Sequence, residues 1–216
     1  MMRQERTPQS FSASEGNTGM QGRNWTRVEV LRSPVFWLMV PAIIGPSAWN
    51  TSFFFHQVHL AEVKGWSHAA LVAMFPLFTI TGVAFLQFAG WAVDRFGSAR
   101  LMPFYLLPSA AGFMLFAVAA SPLQGAIGML LMGASVGMSA TLSSTLWAEA
   151  YGTRNLGSIR AMMAAVMVLG SAIGHGLTGA LIDYGIDYAQ QGWGVGAYYL
   201  GASALAVLAA RALIRG

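Results

Sequence analysis

Six long apolar runs, at about 35–55, 69–91, 101–120, 126–147, 161–182 and 193–213, dominate the alternation of hydrophobic and polar positions. About 20 apolar residues in a helix cross the ~30 Å hydrocarbon core of a bilayer, so each run predicts a transmembrane helix. The predicted fold class is all-α: a polytopic membrane protein with six transmembrane helices over 34–216, preceded by a tail with a short interfacial helix over 1–33. Ser33-Pro34 and Ser121-Pro122 place a capping residue and a first-turn proline before the first and fourth runs, and Ser67 can cap the second. Residues 1 to about 24 are rich in Ser, Gly, Asn, Gln and Thr and have too few apolar groups to offset ordering entropy, which predicts a flexible tail. Thr26 and Glu29 then have capping-box spacing, and Trp25, Val28 and Leu31 are expected to share a face of a helix lying at the membrane surface.

Composition agrees with a membrane solvent. The chain is 56% hydrophobic and 9% charged, with a mean hydropathy of +0.55. A net charge of +4 raises nucleic acid as a partner, but the basic residues sit singly at the ends of apolar runs and never interleave with aromatics in a patch, so no nucleic acid is expected. There is no cysteine, which removes disulfides, thiolate metal sites and a cysteine nucleophile. His56, His59, Glu62 and His68 lie close in sequence between the first two spans but fit an ordinary connecting loop better than a zinc site, so neither metal nor cofactor is expected.

The charges also set a topology. Arg23, Arg27 and Arg32 precede the first span, Arg95 and Arg100 join the second to the third, Arg154 and Arg160 join the fourth to the fifth, and Arg211 and Arg215 end the chain. Only Lys64 lies on the opposite side. The positive-inside rule therefore predicts cytoplasmic termini in a plasma or inner membrane, which an even number of spans also allows.

Polar residues within spans sort the helices, because they are costly unless they face protein or water. The third and sixth runs are nearly bare and are expected to face lipid. The first carries Ser47, Asn50 and Thr51 just after Pro46, where a lost backbone bond invites a bend. The fourth carries Ser135, Ser139 and Ser143 on one side and Gly133, Gly137, Thr141 and Thr145 on another, which predicts a helix buried all round. His175, between Gly174 and Gly176, is the titratable side chain well inside a span. Asn50, Thr51, Ser139, Ser143 and His175 are thus the candidate solute-binding residues. For the hydroxyls, bonding to the preceding turn of their own helix competes with that role.

The loop Gly90-Trp-Ala-Val-Asp94-Arg95-Phe-Gly97-Ser-Ala-Arg100 between the second and third spans has the spacing G-x-x-x-D-R-x-G-x-x-R. With six spans around it, the chain from about Trp25 onward resembles the major facilitator superfamily of secondary transporters. The stretch 147–160, beginning Trp147-Ala-Glu149, is similar to that of the monocarboxylate-transporter-like branch. Because the polar tail and surface helix resemble the central loop of such transporters, the resemblance implies the C-terminal six-helix half, completed by an N-terminal half or a second copy, moving a small organic solute through the bilayer by alternating access. It also implies that Gly90, Asp94, Arg95, Gly97 and Arg100 form a gating loop, with Asp94 engaging a helix of the other half. We expect Glu149 to pair with Arg95 or Arg100. That branch often holds a carboxylate with a cation inside the C-terminal half, and here no Lys or Arg falls within the six runs except Arg211 at the end of the sixth.

Two other readings compete. One is a truncated or regulatory membrane half without transport of its own. The other is an intramembrane serine protease resembling rhomboids, suggested by Gly133-Ala-Ser135-Val-Gly137 with His175. That family wants glycine where Val136 stands and its histidine on the sixth helix, so no catalytic residue is assigned.

Overall fold

The computed structural model describes residues 18–215, and among them every regular element is helical. Most of the predicted tail, residues 1–17, lies outside the described residues. Residues 18–24, read from composition as flexible, instead cross the arginine-rich end of the bundle. There Trp25 N–H donates to the Tyr151 carbonyl (3.0 Å), Asn155 Nδ2 donates to the Trp25 carbonyl (2.9 Å), and Trp25 Nε1 donates to the Met20 carbonyl (3.1 Å). Their own side chains are polar, and it is the backbone clipped around Trp25 that holds them.

Helix α1 (Arg27–Arg32) starts on the predicted capping box, with Thr26 and Glu29 exchanging hydrogen bonds. Of the three residues expected to share a face, Val28 and Leu31 do, and Trp25 is corrected. Trp25 and Val30 are buried, whereas Val28 and Leu31 are exposed. Trp25 precedes the N-cap and does not follow the helical period; it meets the position four residues into the helix, as in a hydrophobic staple.

The first span is broken. α2 (Pro34–Gly45) leads through a π-helical turn, Pro46–Asn50, into α3 (Thr51–Phe55). Pro46 has no N–H to give the Ala42 carbonyl, which in hydrocarbon would be orphaned. Tyr105 supplies the missing donor through its hydroxyl, and Tyr198 donates to the Pro41 carbonyl at 2.8 Å.

Two short helices, α4 (Gln57–Lys64) and α5 (His68–Val72), form the connection at the opposite end, with Ser67 Oγ accepting from Ala70 N–H as predicted. Lys64, the one lysine or arginine on that side among the described residues, donates to the Ala117 carbonyl at 2.8 Å, and burial lowers its pKa. It thus occupies a helix C-terminus, where a cation is favoured.

The chain continues through α6 (Phe75–Phe96), α7 (Ser98–Leu101), α8 (Leu107–Val118), α9 (Pro122–Tyr151), α10 (Leu156–Asp183) and α11 (Tyr188–Arg215). Four stretches are long and apolar enough to cross a membrane: His68–Phe96, Pro122–Tyr151, Leu156–Asp183 and Tyr188–Ile214. The first and third predicted spans are helical but interrupted by proline. In the third, Pro103 and Pro108 break the helix, the Pro103 carbonyl accepts from Ser203 Oγ, and Ser109 N–H donates to Ser135 Oγ at 2.8 Å. Pro34 and Pro122 hold the predicted first-turn positions, but neither Ser33 nor Ser121 caps with its hydroxyl. Gln124 takes the Ala120 N–H instead.

The helices pack in the order α6, α9, α8, α11, α2, α10. α9 is the most buried of the long helices, 50% of its most apolar stretch against 11% in that of α6, but it is not buried all round as predicted, since Leu130, Ala140 and Ser144 are exposed. The hydroxyl-poor third and sixth spans are not the barest. They bury Phe113, Phe116, Tyr199 and Ala206, while α6 and α10 leave more surface open. Few hydroxyls mark a helix with apolar neighbours, not one without neighbours.

Close approach fixes α10 against the first span. A Cβ on Gly174 would lie 2.6 Å from Ala48 Cβ and 2.7 Å from the Ala48 oxygen, whereas one on Gly176 would meet open space. Gly174→Ala should therefore lower stability by about 1–3 kcal/mol, the usual cost of overpacking. Gly176→Ala should leave it unchanged or slightly higher, with both compared by thermal unfolding in detergent.

Candidate functional site

The predicted gating loop lies between α6 and α7. Gly97 adopts φ +80°, a conformation glycine takes without steric cost, and this lets α7 begin at once in a new direction. Asp94, Arg95 and Arg100 are exposed, and Gly90 is half-buried on α6. The expected pairing of Glu149 with Arg95 or Arg100 is not formed. The Glu149 carboxylate accepts from Ser98 Oγ, and among the described residues neither arginine has an ion-pair partner. Ser98 is buried at the start of α7 against α9, so its short side chain arrives before either long arginine. Sequence spacing drew attention to charges and passed over this serine.

The candidate solute-binding residues do not converge on one point. Ser143 lines a cavity of about 310 Å³ between α9 and α10, with Ala140, Ser144, Trp147, Arg160, Met163, Ala164 and Met167. Ser139, one turn along α9, returns its hydroxyl to the Val136 carbonyl at 2.8 Å and is spent there. Asn50 is buried in the π-helical turn with no partner for its Oδ1, and Thr51 is half-buried beside it. His175 lies toward the other end of α10, about 12 Å along the helix from Met167 at 1.5 Å per residue.

Arg160 is a residue the sequence reading placed in a loop. α10 begins at Leu156, so Arg160 sits in its second turn and lines the cavity, with Nη2 donating to the Ser144 carbonyl at 3.0 Å. The apolar run begins only at residue 161, and no polarity signal announces the extra turn.

Around His175 an aromatic cluster closes the opposite end. Its ring lies 4.5 Å from Phe55 and 4.8 Å from His56, and His56 stacks on Tyr188 at 6.0 Å and 15°. His56 Nδ1 is 2.9 Å from the Ser52 carbonyl, so Nδ1 carries the proton and donates. His175 Nδ1 is buried without a partner. Below the cluster, Ser52 Oγ donates to Thr178 Oγ1 at 2.6 Å, and Ser47 Oγ donates to the Met167 carbonyl at 2.5 Å. His59 faces Asp187 at 3.7 Å, and among the described residues no group of three or more His, Cys, Asp or Glu gathers to hold a metal.

A protease arrangement does not form. Ser135 is buried and accepts from the Ser109 backbone, while His175 is engaged with Phe55 and His56. Long apolar helices, proline breaks supported by neighbours and a cavity between two helices define a helical membrane protein of the carrier class. The family model described as Major Facilitator Superfamily matches residues 2–175. The chain belongs to that family of non-enzymatic membrane carriers. Two curated relatives, the multidrug resistance protein B homologs of Mycobacterium tuberculosis strains CDC 1551 / Oshkosh and ATCC 25618 / H37Rv, are each 37% identical to it over 94 residues. The match covers 44% of this chain and 17% of each relative.

The Ser98–Glu149 bond joins α7 to α9 and should show as coupling. Ser98→Ala and Glu149→Gln should each cost about 1–2 kcal/mol of stability, and the double variant should cost little more than either alone. Additive losses in thermal unfolding would mean that the two side chains act separately.

Proposed function

We propose that the chain is a six-span unit, with both termini cytoplasmic, which moves a small, mainly apolar organic solute as one half of a secondary transporter. The proline-broken first and third segments count as spans because their freed backbone groups are met by protein side chains, as non-helical backbone at membrane depth requires. The unit rocks against a second six-helix half, the N-terminal half or another copy, in the manner of inverted- and parallel-repeat carriers.

The observation that carries this reading is the cavity between α9 and α10. Its walls are Met163, Met167, Trp147 and alanines, a lining that adapts to apolar shapes, with Ser143 and Arg160 as its polar points. The relatives' name supports an organic rather than an ionic solute. Arg160 gives one N–H to Ser144 and keeps others for an acceptor on the solute, so an acidic group on it, as the monocarboxylate-like resemblance implies, is accommodated. The loop from Gly90 to Arg100 supports gating, since Asp94, Arg95 and Arg100 are exposed and Asp94 has no ion-pair partner among the described residues. His175, with a buried unpartnered nitrogen at the opposite end of α10, is the residue to take or give a proton.

Transport should be measured in proteoliposomes holding the complete transporter. Ala140→Trp fills the cavity and should cut uptake about tenfold or more, equivalent to at least ~1.4 kcal/mol of lost solute binding. His175→Ala should slow proton-driven uptake while leaving solute exchange between loaded vesicles near normal. Unchanged uptake with Ala140→Trp would take the cavity off the path, and no uptake by any assembly containing the chain would favour the non-transporting membrane half.

A further inference from the structure

Helix α1 is short, yet its side chains are arranged around it in an order that packing against the bundle does not explain. Val30 is fully buried against the neighbouring elements, and α1 touches both α2 and α10. Going round the helix from Val30 at 100° per residue, the order is Arg27, Leu31, Val28, Arg32, Glu29. Two apolar residues thus lie side by side between two arginines, on the face turned away from the bundle. Val28 is 57% exposed and Leu31 42%. Trp37, in the first turn of α2, continues the apolar patch: it is 59% exposed, and its Nε1 donates to the Leu31 carbonyl at 2.8 Å.

The charges on this patch are unbalanced by design of the local contacts. Glu29 is the acid of α1, and Arg23 takes it in a 2.8 Å ion pair while its guanidinium lies over Trp25. Hydrogen bonds from Thr26, backbone first and hydroxyl second, hold the Glu29 carboxyl below its usual pKa, so it stays ionised and occupied. Arg27 and Arg32 are exposed and have no ion-pair partner among the described residues.

An apolar strip flanked by free arginines, beside an exposed tryptophan at the start of a membrane span, matches one environment. Apolar side chains reach the acyl boundary, long arginine stems carry their charge up to the phosphates, and tryptophan sits at headgroup level. We infer that α1 and Trp37 form a binding surface for anionic phospholipid headgroups in the leaflet facing the arginine-rich end, with Arg27 and Arg32 as the two headgroup contacts. Each such cation near an anionic surface adds to the attraction, which zwitterionic lipid does not supply. The contact depends on membrane embedding alone and not on transport.

The test uses the full chain in nanodiscs of phosphatidylcholine containing equal fractions of either brominated phosphatidylglycerol or brominated phosphatidylcholine. Tryptophan fluorescence is compared with that of Trp37→Phe to isolate the Trp37 signal. That signal should be quenched more strongly by the brominated anionic lipid. The double variant R27Q/R32Q should bring the two lipids to parity without changing the thermal unfolding temperature, because both side chains are exposed. R211Q, which removes an arginine at the same end from a different helix, should keep the preference. Equal quenching by the two lipids in the unaltered chain would overturn the assignment. So would a preference that survives R27Q/R32Q, or one that R211Q abolishes equally.

Discussion

A carbonyl freed by proline inside hydrocarbon has no water to turn to, and the architecture follows from how that need is met. Pro46 removes the donor for Ala42, and the first span passes there through a π-helical turn. The Tyr105 and Tyr198 hydroxyls answer at Ala42 and Pro41, which ties the third and sixth spans to the first. At the Pro103 and Pro108 break neighbouring side chains also meet the backbone, Ser203 Oγ donating to the Pro103 carbonyl and Ser135 Oγ accepting from the Ser109 N–H. Proline breaks in this chain are therefore junctions between helices.

On its other side the first span meets α10 at glycine positions. Gly170 and Gly174 admit Ile44 and Ala48, and Ser47 and Ser52 add hydrogen bonds to Met167 and Thr178. In membranes, where lipid tails are as apolar as leucine, such close small-residue contacts and hydrogen bonds do the joining. α6 is joined to α9 in the same way, through glycines whose backbones approach closely. Between these two tightly joined groups the contact of α9 with α10 is sparse, and the cavity opens there.

Much of this was legible in the sequence. The positions of the apolar helices, the capping box at Thr26 and Glu29 and the irregular turn at Pro46 rest on local rules of period, capping and backbone chemistry. What was not legible depends on partners distant in sequence. Spacing shows that Glu149 lies near arginines but not that Ser98 is closer. Hydropathy ends the fifth run at 161 and hides that the helix begins a turn earlier, which brings Arg160 into the cavity. The tail was misread at 18–24 for the same reason, since its composition is disordered-like while its contacts come from Trp25 and the loop at Tyr151. Asn50 and His175 were found because an amide and an imidazole are rare in a span, but rarity does not say what they face.

The central claim is that the first and third segments cross the membrane like the four longer apolar stretches, and single-cysteine accessibility tests it most directly, since the chain contains no cysteine. Intact cells expressing Glu62→Cys, Ala120→Cys, Tyr184→Cys, Phe96→Cys or Thr153→Cys, all exposed positions at helix ends, would be treated with a membrane-impermeant maleimide. Six crossings with cytoplasmic ends predict labelling at 62, 120 and 184 in intact cells, and at 96 and 153 only after permeabilisation. Labelling of 96 and 120 from the same side would mean that the broken third segment does not cross, and would contradict the account.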